Sequence, residues 1–222
     1  MTVQSSNPRC EDPAADSMDI LVHKPDSTES CFAPNTFPYH RLMERWAVMA
    51  STLPLWKDRK NVMISYSQID DKPINETFRD TIQFNFSEKA GPGKEPTTVE
   101  GVDTLQMIEP GDEGSAAESE TKAGNGVRYK WKGSGIMAVS PPAQWQVLGF
   151  FLANDPNRSN EDWVVTYFGK TLATPAGLDI YVRNPKAFDI SKVRRLINAC
   201  QQNGDETVRR CAEGFFEIPR DL

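Results

Sequence analysis

Histidine and cysteine are scarce in this chain, with 2 and 4 respectively among 222 residues. His23 and His40 both lie near the N-terminus, and Cys10, Cys31, Cys200 and Cys211 form no C-x-x-C pair. A His-rich or cysteine-clustered metal centre is therefore excluded, and no metal or cofactor is expected. No apolar run reaches the ~18 residues of a membrane-spanning helix. The opening MTVQSSNPRCEDPAADS has no apolar core of a secretory signal. The expectation is a cytoplasmic protein with reduced thiols, in which Asn-x-Ser/Thr matches at Asn75, Asn85 and Asn157 carry little weight. Positive charge is also short: 25 Lys and Arg stand against 31 Asp and Glu, a net charge of -6. That argues against a nucleic acid partner, since phosphate binding needs concentrated cations. The alternation Arg128, Tyr129, Lys130, Trp131, Lys132 reads as the outward face of a strand. Also missing are the nucleophile elbow G-x-S-x-G, a phosphate-cradling glycine loop and G-x-G-x-x-G.

What the chain does have is strands. Residues 162–185 read DWVVTYFGKTLATPAGLDIYVRNP. Trp163 to Phe168 is β-branched and aromatic throughout, which suits a pleated, half-buried surface. Thr174-Pro175-Ala176-Gly177 is turn chemistry. Leu178, Ile180 and Val182 then alternate with Asp179, Tyr181 and Arg183. Behind this hairpin Asp189 or Ser191 caps a helix to about Gln202. Its residues Val193, Leu196, Ile197 and Cys200 form one stripe, and a shorter helix follows over roughly 205–215.

Upstream, alternation marks further strands: Trp46, Val48 and Ala50; then Val62, Ile64 and Tyr66; then Phe78, Ile82, Phe84 and Phe86. Gly133 and Gly135 suggest a bend in the stretch from Val127. Eight strands result, at 45–52, 61–69, 77–86, 97–107, 127–139, 144–152, 162–169 and 177–183. Their short connections favour sequential antiparallel pairing, and eight strands can close around one small ligand. Residues 1–40 read as a mobile polar leader and 41–222 as the barrel with its C-terminal helices. Residues 109–126 read as an acidic, flexible insertion with nothing larger than alanine to pack on a ligand.

From about residue 42 to 203 this order of elements resembles the lipocalins. Trp46 on the first strand resembles the family's Gly-x-Trp motif, with Glu44 standing where that motif carries glycine. WVVTYF and LDIYVRNP resemble its last two strands, and the helix from Ser191 resembles the helix laid against the barrel. The words STLPLWK and WVVTYF…TPAG are most similar to intracellular lipocalin-like proteins of fungi. The resemblance implies an eight-stranded antiparallel up-and-down barrel with one or two C-terminal helices. It implies that Arg183 stacks on Trp46 to close the blind end. It also implies a small lipophilic molecule in the cavity. Some lipocalin-like proteins of fungal biosynthetic pathways catalyse cyclisations or isomerisations, so a cofactor-independent isomerase or cyclase of secondary metabolism is the alternative.

With Trp46 facing inward, the expected ligand-binding residues are Tyr66, Phe84, Trp131, Trp145 and Tyr167, with Val48 and Ile82 as further wall. An enzyme would draw a proton from Tyr66, Tyr167, Asp103, Lys130 or Lys170. Asp80 and Asp103 are the carboxylates within strand patterns, and the expectation for both is a solvated outer face. Three readings follow: a binding module, an enzyme using the same cavity, or an interaction protein whose barrel is filled by its own side chains. A wholly apolar cavity favours the first, a buried carboxylate or lysine the second, and a filled interior the third.

Overall fold

The computed structural model describes residues 20–87, 95–107, 125–139, 141–153, 156–172 and 174–221. Eight strands form an antiparallel up-and-down barrel: β1 (Glu44–Ser51), β2 (Arg59–Ser67), β3 (Thr77–Phe86), β4 (Thr97–Leu105), β5 (Arg128–Gly133), β6 (Ala143–Phe151), β7 (Trp163–Phe168) and β8 (Gly177–Val182). Each pairs with the next, and β1 pairs with both β2 and β8, so the sheet closes and loses its edges. A two-residue β9 (Phe216–Glu217) adds to the far part of β1, an element without a sequence signal of its own. The stretch after Gly133 does not continue as strand; Gly135–Val139 is a 3-10 turn entered through Gly135 at φ +55°.

Strand faces follow from the alternation, with three bulges that shift it, in β1 between Val48 and Ala50, in β2 between Lys60 and Met63, and in β6 between Val147 and Gly149. Asn61, at φ +55°, sits in the second of these, where asparagine tolerates the left-handed region better than most residues. Because of the first bulge, Ala50 leaves the face shared by Trp46 and Val48 and joins the outer cluster.

Two layers cover β6, β7, β8 and β1 from outside. Helices α2 (Ile190–Gln201) and α3 (Glu206–Ala212) lay Val193, Leu196, Cys200 and Val208 onto Val165, Leu178, Ile180 and Val182. Asp189 and Asp205 cap the two helices by accepting from the backbone N–H of Ser191 (2.8 Å) and Val208 (3.1 Å). Every residue of β8 is buried, since it has the helices on one side and the barrel interior on the other. The apolar face of β8 is thus the outer one; Asp179 and Tyr181 face the interior. By contrast β3, β4 and β5 alternate buried with exposed positions, and Lys130 and Lys132 point outward.

The chain before β1 also packs on the barrel. From Ile20 it crosses the outside, where His23 N–H donates to Leu148 O (2.7 Å) and Asn203 donates to Val22 O (2.6 Å). It then turns beneath the barrel, where Phe37 and Phe150 meet edge to face, and α1 (Tyr39–Leu42) leads into β1. Of the polar leader, residues 1–19 lie outside the described residues. So does most of the acidic stretch 109–126; the strand ends that it joins, Leu105 of β4 and Arg128 of β5, lie toward the base of the barrel with Trp46 and Arg183. No described helix is long and apolar enough to cross a membrane.

Candidate functional site

At the base, Arg183 lies with its guanidinium carbon 3.9 Å from the centre of the Trp46 ring. It donates to the carbonyls of Met43 (2.7 Å) and Arg41, and to Asp162 (3.3 Å). Asp162 also accepts from Ala153 N–H (2.8 Å) and from Arg41 (3.1 Å). The Trp46 indole donates to Leu42 O (2.8 Å). Glu44 adopts φ +77°, the left-handed region that glycine enters without cost. Glu44 therefore holds, two residues before Trp46, a backbone conformation that suits glycine better than a residue with a Cβ.

Above this base the interior is unexpectedly polar. On β3 the inward residues are Phe78, Asp80, Ile82 and Phe84, and on β4 they are Val99, Gly101, Asp103 and Leu105. Asp80 stands opposite Gly101 and Asp103 opposite Phe78, so the two carboxyl groups are diagonal neighbours across the pair. Both are buried, Asp103 completely, which corrects the expectation of a solvated outer face. The physical reason is strand alternation: Asp80 has the parity of Phe78, Ile82 and Phe84, and Asp103 that of Val99 and Leu105.

Three indoles meet three interior aspartates. Trp145 Nε1–H donates to Asp103 Oδ1 (2.7 Å), and Trp56 Nε1–H donates to Asp179 Oδ2 (3.2 Å). The indole of Trp131 turns toward Asp80, although its N–H completes no well-formed hydrogen bond. It lies across Gly101, where a Cβ would overlap the ring; only glycine leaves it that space. Around these groups Tyr66 stacks on Trp145 (ring centres 5.7 Å), Tyr129 stacks on its neighbour Trp145 (4.8 Å), and Phe78 packs edge-on against both tyrosines. Tyr181 and Thr166 complete the belt from β8 and β7.

Much of this belt lacks partners. Asp80 Oδ1, Asp103 Oδ2 and the Tyr129 hydroxyl are buried and make no hydrogen bond, whereas Asp179 has Ser51 and Tyr181 beside it and Thr166 has Tyr181, without a well-formed bond from Asp179 Oδ1 or Thr166 Oγ1. Loss of water raises the carboxyl of Asp103 to about 7, with the Trp145 N–H opposing the shift. Asp179 is likewise pushed up to about 7 by burial. Asp80 is raised well above the carboxylate range by burial and then by the charge of Asp103. Burial also lifts Tyr66, Tyr129 and Tyr181 well above the usual phenol value. At the upper end, Arg59 lies over Phe84 (4.2 Å) and Trp56 (5.5 Å).

Tyr66, Phe84, Trp131 and Trp145 thus meet on the inner face. Tyr167 does not join them. It stands on the outer face of β7 with the helix-covered cluster, because Val164, Thr166 and Phe168 take the inward positions. There it borders a polar cleft of about 420 Å³ together with Asp26, Arg128, Gln144, Lys170 and Asp205. Lys130 is exposed on the outer face of β5. Asp179, Tyr129 and Tyr181 were missed as site residues. The alternation along β5 and β8 already grouped Tyr129 with Trp131 and Asp179 with Tyr181; what it lacked was which face is inner.

No protein-family model matches the chain, and no curated protein does. Solved structures do match in fold. Lobster apocrustacyanin A1 superposes with a TM-score of 0.52 at 12% identity, over 91% of this chain and 92% of that one. Apocrustacyanin C1 gives a TM-score of 0.51 at 12% identity, over 91% and 92%. Apocrustacyanin C2 gives 0.51 at 12%, over 91% of each chain. At this identity the likeness is one of architecture: a closed eight-stranded, lipocalin-like barrel with short helices near its C-terminus.

Proposed function

We propose that the barrel holds a small amphipathic molecule, its apolar body against Phe84, Ile82, Trp131 and Val48 and its polar end in the belt of Asp80, Asp103, Tyr66 and Tyr129. The observation that carries this reading is the set of buried polar atoms without partners. A protein interior rarely leaves such groups unpaired, because each costs about 1–3 kcal/mol. Asp80 Oδ1, Asp103 Oδ2 and the Tyr129 hydroxyl together, in an up-and-down barrel of the type that encloses ligands, match a ligand that supplies the missing bonds. The lipophilic molecule expected from the resemblance gains a polar, hydrogen-bonding end.

Protein purified from its native host and extracted with organic solvent should release one compound, near one per chain, identified by mass spectrometry. Asp103→Asn and Tyr66→Phe should lower its occupancy. An empty extract, together with no binding in a screen of amphipathic compounds by tryptophan fluorescence, would point instead to a barrel filled by its own side chains.

One observation favours a second reading, a cofactor-independent isomerase or cyclase. Asp103 near 7, beside the more strongly raised Asp80, can hold and release a proton at neutral pH in a water-excluded site. For that reading the bound compound should convert on incubation with the protein, and Asp103→Asn should slow the conversion at least ~100-fold.

A further inference from the structure

We propose that the molecule held in the barrel carries a protonated amine, and that Asp80 and Asp103 are its counter-ions. This rests on the barrel being a ligand site and names the chemistry of the ligand's polar end.

The first ground is an imbalance of charge. Asp80 and Asp103 are diagonal neighbours on the inner face, each with one oxygen that accepts nothing. Among the described residues no ion pair involves Asp80, Asp103 or Asp179. The cations nearby in sequence turn away: Arg79 is exposed on β3, and Lys130 and Lys132 are exposed on β5. The arginines at the ends of the barrel, Arg41 and Arg183 at the base and Arg59 at the top, are committed elsewhere. Arg183 is tied to Asp162 and to backbone carbonyls at the base, and Arg59 lies over Phe84 at the upper end. The titratable groups beside the two carboxyls on other elements are neutral phenols: Tyr66 of β2, Tyr129 of β5 and Tyr181 of β8.

The second ground is the wall. Four aromatic rings, Tyr66, Phe78, Tyr129 and Trp145, pack around the carboxyls with centre distances of 4.8–5.7 Å among neighbours. Aromatic rings attract cations through their quadrupoles, and a desolvated ammonium ion gains most from them. Carboxylate and aromatic groups together suit an organic ammonium ion. A bare metal ion fits poorly, since among the described residues no three His, Cys, Asp or Glu side chains converge to ligate one. An anionic ligand would add a further negative charge to a buried acidic pair.

A cation entering beside a carboxyl held near neutral pKa lowers that pKa, so amine binding at neutral pH should expel a proton into solvent. The test uses the full chain and three probes of one shape: 4-phenylbutylamine, 4-phenylbutanol and 4-phenylbutanoate. Titration calorimetry at pH 7 in phosphate and in Tris reads both affinity and proton release. The amine should bind at least ten-fold tighter than the alcohol, with the acid weakest, and its heat should differ between the buffers by the heat of the released proton. In Asp80→Asn, Asp103→Asn and the double variant, each checked for an intact melting transition, the amine-to-alcohol ratio should fall toward one. Alcohol or acid binding as tightly as amine overturns the amine assignment and leaves the ligand site standing. An amine preference that survives the double variant does the same to the assigned counter-ions. If none of the three binds, and the neutral dye N-phenyl-1-naphthylamine is not taken up either, the ligand site falls with the amine.

Discussion

Asp162 at the base and Asp103 in the belt are both wholly buried aspartates, yet their surroundings are opposite. Asp162 is surrounded by donors: Arg41, Arg183 and the Ala153 N–H. Asp103 has one indole N–H and keeps its other oxygen unpaired. The same division runs through the neighbouring groups. Tyr39 at the base donates to Gly126 O (2.5 Å), whereas the Tyr129 hydroxyl in the belt has no partner. The base is built as structure: Asp162, Arg183 and Tyr39 are answered from within the chain. The belt leaves its polar groups open at a cost in stability, which is the usual pattern of a functional site.

Breaking the base should have the largest effect. Arg183→Ala removes the ring contact with Trp46 and leaves Asp162 short of a donor. Stability should fall by about 3–5 kcal/mol, as for other broken buried pairs, read by urea unfolding. An unchanged unfolding midpoint would refute the role given to the closure.

The belt should respond in the opposite direction. Asp103 and Asp179 are held near 7 in the fold, against about 3.9 in an unfolded chain. Between those values the folded state binds more protons than the unfolded state. The contribution of these groups to stability therefore falls as pH rises from about 4 to about 7. Asp103→Asn, which keeps the shape and removes the charge, should raise stability at pH 8 by roughly 1–2 kcal/mol and flatten the profile over that window. Melting temperatures of both proteins from pH 5 to 8 check it; parallel curves would contradict it.

The two tyrosines give a finer contrast. Tyr39→Phe should cost about 1 kcal/mol, since it strands the Gly126 carbonyl, while Tyr129→Phe should be neutral or slightly stabilising. Equal losses in chemical denaturation would erase the distinction between base and belt. The smallest effect belongs to Glu44→Gly. It relieves a left-handed backbone worth roughly 1 kcal/mol and gives up only an exposed glutamate 3.7 Å from Arg183. A gain of a few tenths to 1 kcal/mol is expected, and a loss would mean that the Glu44 charge matters more than its backbone.

Much of the barrel was legible along the chain. The eight strand windows fall within a few residues of those observed, apart from the one running past Gly133, because β-branched and aromatic alternation bounded by turn residues is a local signal. The helix from Ile190 and its Asp189 cap were legible for the same reason. The site was legible only in part. Tyr66, Phe84, Trp131 and Trp145 share parity with apolar neighbours, and the inner face holds them. Tyr167 was grouped with them although Trp163 and Val165, its partners in alternation, belong to the outer cluster. Asp80 and Asp103 were assigned to water on residue type alone, against the parity of their own strands.

The sequence by itself determined the local choices: where strands run, where they stop, which residues share a face, and where helices begin. Each depends on contacts within a few positions. It did not determine which face of each strand is the inside, because on β7 and β8 both faces are buried and apolar character marks the helix-covered outer one. Only the tertiary structure decided that, through barrel closure between β1 and β8 and the docking of α2 and α3. Closure turned Asp80, Asp103 and Asp179 inward and took away their water. Their raised pKa values and their unpaired oxygens are consequences of that enclosure, which no single strand contains.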